Sequence, residues 1–113
     1  MDVRSSKSVA DAIHFFATTV GEDKIAALVN SAAVVLPGSL MYTALASIEA
    51  CYDVNAAGTL RTIRAMVPIM RKLLRTHPFT PRVVNLSSGA GRIPVALHGP
   101  YCMSKHAVEV HIA

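Results

Sequence analysis

Two short apolar runs constrain this chain more than anything else in it. "IAALVN" (25–30) and "RVVNLS" (82–87) are nearly continuous in apolar residues and too short for helices. Such runs mark strands buried on both faces of a parallel sheet. Each follows a block with helical periodicity, and a third helical block ends the chain. Helix, strand, helix, strand, helix with short connections predicts an α/β domain built on a parallel sheet. Apolar residues make up 52% of the 113 positions. A chain that rich either buries its strands on both faces or leaves apolar surface for a partner.

The first helical block is "SSKSVADAIHFFATTVGEDK". Ser5 or Ser6 can cap it, Val9, Ile13, Phe16 and Val20 space out an apolar face, and Gly21 ends it. "SAAVVLPGSLMYT" is a loop turning at Pro37 and Gly38. A long helical pattern runs from about Ala44 to Arg75 and carries Ile48, Cys51, Tyr52, Val54, Leu60, Ile63 and Met66. Pro68 inside it should kink or break it. "THPFTP" is a loop and "SGAGRIPVALHG" a Gly-rich one. "PYCMSKHAVEVHIA" is a final helix with Pro100 at its start. "MDV" reads as the tail of a further strand. The last helix reaches Ala113 with no cap or closing strand, and two strands plus a stub bury three helices poorly. The chain reads as cut at both ends.

Several function classes are disfavoured. Net charge is +4, but only 16% of residues are charged. Six of the eleven basic residues (Arg61, Arg64, Arg71, Lys72, Arg75, Arg82) lie in or just after the long helix. No aromatics interleave with them, so they read as a solvated face rather than a nucleic-acid surface. Cys51 and Cys102 form no CxxC and read as reduced thiols, consistent with an intracellular location, cytoplasmic by default. His106 and His111 lack metal-ligand spacing. The most apolar window is interrupted by Asn30, Ser31, Pro37, Gly38 and Ser39, so no membrane segment is expected.

In sheets of this kind ligands bind beyond the carboxyl ends of the strands, here Asn30-Ser31 and Leu86-Ser87-Ser88. Tyr101 and Lys105 stand at i and i+4 on one face of the final helix. An ammonium beside a phenol favours the phenolate, which suits the phenol to general acid/base work. Tyr-x-x-x-Lys alone is more often just a helix face. Ser88, on a strand end thirteen residues upstream, changes that balance, because its hydroxyl could hold a carbonyl oxygen beside Tyr101.

Taken together, "RVVNLSSGAGRIPVALHGPYCMSKHAVE" resembles the active-site segment of the short-chain dehydrogenases/reductases. "ALVNSAA" resembles that family's Asn-Asn-Ala-Gly segment, "YDVNAAGTL" its Asn-containing helix, and "MDVRSSKSV" the Asp-Val that ends its third strand. These motifs stand in the family's order across nearly the whole chain. The resemblance implies a Rossmann-like doubly wound parallel sheet of which residues 1–113 form the central, active-site part. It implies an NAD or NADP cofactor, with the hydride coming from the nicotinamide. Tyr101 would exchange a proton with the substrate's alcohol or carbonyl oxygen, and Ser88 would hydrogen-bond that oxygen. Lys105 would bind the nicotinamide ribose and lower the pKa of Tyr101. Asn55 would hold a relay water through its backbone carbonyl. Asp2 and Val3 would contact adenine, and Asn30 and Ala32 would line the cofactor near the adenosine ribose.

The residues also have plainer readings. Asn55 could bond a neighbouring strand, Asp2 could be a terminal charge, and Ser87 should point to the other side of its strand as a structural residue. "GAGRIP" carries Pro94 where a GxGxxG needs its third glycine, so it is no pyrophosphate cradle. "NLSSGAG" lacks the glycine of a nucleophile elbow, which argues against a serine hydrolase. Ser31 and Ala33 depart from the family's second Asn and its Gly, and the family's Gly-rich turn falls outside this sequence. The expected function is interconversion of a primary or secondary alcohol and a carbonyl, on a lipophilic substrate of retinoid or steroid type. The complete protein would form a homo-oligomer through the two long helices. The alternative is a truncated, non-catalytic chain acting as an oligomerisation or interaction module. A salt-sensitive nucleic-acid or membrane-surface role for the basic helix ranks third.

Overall fold

A computed structural model describes residues 1–110. Helix α1 spans Ser6–Val20. The Ser5 hydroxyl caps it by accepting the Ser8 N–H at 3.2 Å, which satisfies one of the amide groups that every helix start leaves free. Gly21 ends it at φ +96°, a conformation that side chains resist. The buried stripe differs from the expected one. Val9 and Ala17 are buried and Ile13 partly so, while Phe16 and Val20 are exposed. The layer beneath α1 is narrow, so it covers residues at i, i+4 and i+8 but not the flank that carries Phe16.

Strands β1 (Ala27–Asn30) and β2 (Arg82–Asn85) pair in parallel, Ala27 against Arg82 through Asn30 against Asn85. The pairing matches expectation; the burial does not. Val29 is 57% exposed, and Val83 and Val84 are also exposed. Helix α1 and a later helix, α3 (Gly58–Thr76), form one layer, whose core is Ala17, Ile25, Met66, Met70 and Leu73, with Leu28 packed against it. Among the described residues no second layer covers the opposite face. The molecule is only 16 Å thick along its shortest axis, about one helix on one sheet. The "MDV" segment is not a strand. Asp2 accepts the Arg4 N–H on its carboxylate and the Ser5 N–H on its carbonyl, making a turn that leads into α1.

The long helical segment is one rod in three parts: α2 (Leu45–Tyr52), a π turn (Asp53–Ala57) and α3 (Gly58–Thr76). Pro68 neither breaks it nor ends it. The proline lies exposed, and burial of Met66, Met70 and Leu73 on the other side of α3 offsets the hydrogen bond it removes. After β2, a short 3₁₀ turn at Gly89–Gly91 precedes α4 (Gly99–Val110). The last three positions expected in that helix, including His111, lie outside the described residues. The loop after β1 meets the loop before α4, where the Gly38 N–H donates to the Leu97 carbonyl at 2.6 Å.

Candidate active site

The site grows from the first turn of α4. Pro100 near its start lacks an amide hydrogen, which the opening of a helix does not need. One turn separates Tyr101 from Lys105, as their spacing predicts. The Lys105 Nζ stands 5.9 Å from the centre of the Tyr101 ring. Lys105 is 4% exposed, and its Nζ donates to the Leu86 carbonyl at 2.9 Å, just past the end of β2. Burial lowers its pKa from the ordinary 10.5. No carboxylate pairs with it among the described residues. An ammonium has three hydrogens to donate, so two of them lack a protein acceptor among the described residues.

The two serines after β2 divide their work. Ser87 Oγ donates to the Lys105 carbonyl at 3.2 Å, fastening the strand end to α4. Ser88 caps the 3₁₀ turn by accepting the Ala90 N–H at 3.2 Å, which leaves its own hydroxyl hydrogen available. No hydrogen bond joins Ser88 to Tyr101 among the described residues. Gly91 lets this turn lie against α4. A Cβ there would stand 2.6 Å from Ser87 Oγ and 2.9 Å from the Lys105 carbonyl oxygen.

Asn55 sits in the π turn and is 1% exposed. Such single π turns inside α-helices are frequent at functional sites. Its Oδ1 accepts the Val34 N–H at 2.8 Å, and its Nδ2 donates to the Val34 carbonyl at 2.8 Å and to Ser104 Oγ at 2.9 Å. The side chain thus completes a pairing with the segment after β1, close to its plainer reading. Its backbone carbonyl accepts the Thr59 hydroxyl at 3.0 Å. Cys51 borders this cluster, with Sγ 3.5 Å from Asn55 Nδ2, and burial pushes its thiol pKa up.

A second group lies beyond the carboxyl end of β1. Val3, Asn30, Ser31, Ala32, Val54 and Thr59 line a cavity of about 130 Å³. Asn30 is held there from two sides: its Nδ2 donates to Asn85 Oδ1 at 2.8 Å, and its Oδ1 accepts the buried Thr62 hydroxyl at 2.6 Å. Asp2 stands apart. Its exposed carboxylate bonds Arg4, which holds its pKa down at about 2. The structure therefore brings Asn55 together with the helix that carries Tyr101 and Lys105, and gathers Val3, Asn30 and Ala32 around one cavity. It leaves Asp2 outside both. Ala33, a departure from the family pattern, is exposed.

Sequence reasoning missed Ser104, Thr62 and Asn85. Ser104 could have been flagged by its place beside Lys105 in the motif. Thr62 and Asn85 carry no local signal, because their partners are distant in sequence.

The family model described as short chain dehydrogenase matches residues 1–112. The chain belongs to that family. It is 34% identical over 110 residues to the mouse short-chain dehydrogenase/reductase family 9C member 7, covering 96% of this chain and 33% of that protein. Mouse 17-beta-hydroxysteroid dehydrogenase type 1 is 38% identical over 109 residues, 96% of this chain and 29% of its own length. A solved structure of ElxO with NADP bound superposes with a TM-score of 0.85 at 26% identity, over 96% of this chain and 41% of that one. The chain thus spans about a third of the length of these curated relatives, and its two parallel strands and their helices are part of a Rossmann fold. Among the described residues no helix is long and apolar enough to cross a membrane.

Proposed function

We propose that this chain carries the proton-handling part of an NAD(P)-dependent oxidoreductase that interconverts an alcohol and a carbonyl. The observation that carries this reading is Lys105: a buried ammonium with no carboxylate partner among the described residues, one helical turn from a tyrosine. A buried ammonium with unused hydrogens calls for acceptors such as ribose hydroxyls, so this residue fits a nicotinamide dinucleotide. The cavity at Val3, Asn30 and Ala32 fits its adenosine side in position, beyond the end of β1. When bound, the nicotinamide supplies hydride chemistry that no side chain can.

The protein's own residues move the proton and hold the substrate. Tyr101 exchanges a proton with the substrate oxygen through its phenol. Ser88 donates its free hydroxyl hydrogen to that oxygen. Lys105 orients the ribose and favours the phenolate electrostatically. Asn55 holds the segment after β1 against the π turn. The relative named for 17-beta-hydroxysteroid dehydrogenation supports a lipophilic alcohol or ketone as substrate. Tyr101→Phe is expected to remove nearly all turnover while leaving NADH or NADPH binding within about twofold. Retained turnover overturns the role given to Tyr101.

A second reading is an interaction module, favoured by the exposed apolar residues Tyr52, Leu60, Leu74 and Met103 on the three later helices. In this reading residues 1–113 act by pairing with another subunit rather than by catalysis. Titration of the purified chain with NADH and NADPH, together with its mass in solution, separates the two. Cofactor binding favours the enzyme; oligomers without cofactor binding favour the module.

A further inference from the structure

Ser104 is the only polar side chain of α4, besides Lys105, that is fully buried among the described residues; none of its surface reaches solvent. Its hydroxyl donates to the Tyr101 carbonyl at 2.8 Å, the back-bond to the preceding turn that serines commonly make inside helices. That bond explains where the hydroxyl points but not what its lone pairs receive. They receive Asn55 Nδ2 at 2.9 Å, from an element 49 positions away in sequence.

The hydrogen-bond inventory of the Asn55 amide is then complete. Its oxygen takes the Val34 N–H, and its two hydrogens go to the Val34 carbonyl and to Ser104. Without Ser104, one hydrogen keeps only the weak sulfur acceptor of Cys51 at 3.5 Å. A buried polar network with every member satisfied holds one geometry, and one with a member missing does not.

We infer that Ser104 is a positioning residue that locks Asn55 to α4, and so fixes Tyr101 and Lys105 relative to the segment after β1. The inference rests on the oxidoreductase reading for its catalytic part. Two elements meet at this one hydroxyl, the π turn through Asn55 and α4 through the Tyr101 carbonyl, and Asn55 carries the link on to the loop after β1 through Val34. Lys105 is the next residue, and its ammonium has a single protein acceptor among the described residues. Its placement therefore depends on how α4 sits, more than on bonds of its own.

The test joins amide hydrogen exchange, followed residue by residue by NMR, to steady-state kinetics in the same protein. Ser104→Ala is expected to speed exchange of the Val34 amide by about tenfold, leaving the Ile69 amide of α3 unchanged. It should lower kcat by about tenfold with KM within about twofold. Ser104→Cys, which keeps a weak donor and acceptor, should fall between it and the wild type, and it serves if the alanine variant does not fold. Val34 exchange that stays unchanged overturns the link, and so does equal acceleration at Val34 and Ile69. Combining Ser104→Ala with Asn55→Ala should add little to the worse single variant; additive losses overturn the coupling. A wild-type protein without turnover overturns the oxidoreductase reading and the catalytic part of this one. The Val34 exchange then separately upholds or overturns the bond between Ser104 and Asn55.

Discussion

The junction of α4 with the π turn and the two-stranded sheet are built in opposite ways. At the junction Asn55, Ser104 and Lys105 are buried, Cys51 closes the cluster, and the Asn55 amide has all its partners. In the sheet the register is regular, yet Val29, Val83, Val84 and the neighbouring Leu86 are exposed. The contrast teaches where specificity resides. The junction is held by directional bonds that close within these residues. The strands are held by backbone pairing on one side of one helical layer, and their apolar side chains face no second layer among the described residues. The residues with chemical promise cluster at the first kind of region.

Substitutions can break or sharpen this contrast. The largest effect is expected for Asn55→Ala, which strands the Val34 N–H and carbonyl and leaves Ser104 without its donor. Loss of a buried, fully bonded amide should lower unfolding stability by about 3 kcal/mol, measurable by urea titration. A loss below about 1 kcal/mol would show that the junction is not the rigid part of the molecule.

Gly91→Ala comes next. The added methyl meets the Lys105 carbonyl at 2.9 Å, backbone that cannot swing away. Overpacking of this kind costs about 1–3 kcal/mol, and the melting temperature should fall accordingly. An unchanged melting temperature would mean that the 3₁₀ turn is not pressed against α4.

Lys105→Met should act in the other direction on stability while removing turnover. Burial lowers the folded-state pKa of Lys105 below 10.5. Between those two values the unfolded chain binds more protons than the folded one, so wild-type stability should rise with pH across that interval. The methionine variant should be at least as stable at neutral pH and should lack that rise. Urea titrations at pH 7 and pH 10 check both points, and a variant that keeps the wild-type slope would assign it to another group.

The smallest effect is expected in the sheet. Val29→Thr, at a position 57% exposed, should change stability by no more than about 0.5 kcal/mol. A larger loss in solution would show that something covers that face there, which would favour the interaction-module reading.

Much of the architecture is legible locally. The parallel pairing of "ALVN" with "RVVN" follows from two short apolar runs separated by a helical block. The start of α1 follows from Ser5 and its end from Gly21, each through a backbone need that one residue meets. The long helix is legible too, but not its π turn, since the extra residue at Asp53–Ala57 leaves no mark on hydrophobic period. Pro68 misleads for a related reason: a local rule predicts a break, and packing on the far side of α3 overrules it.

The sequence by itself determined the order of elements, the four family motifs and the spacing that stacks Tyr101 above Lys105, because each depends on residues close together in the chain. Only the tertiary structure decided which face of α1 is buried and that Asn55, Val34 and Ser104 share one set of hydrogen bonds. Those outcomes depend on groups dozens of positions apart, and a hydrogen bond requires its partners within about 3 Å, a condition that spacing along a chain does not encode.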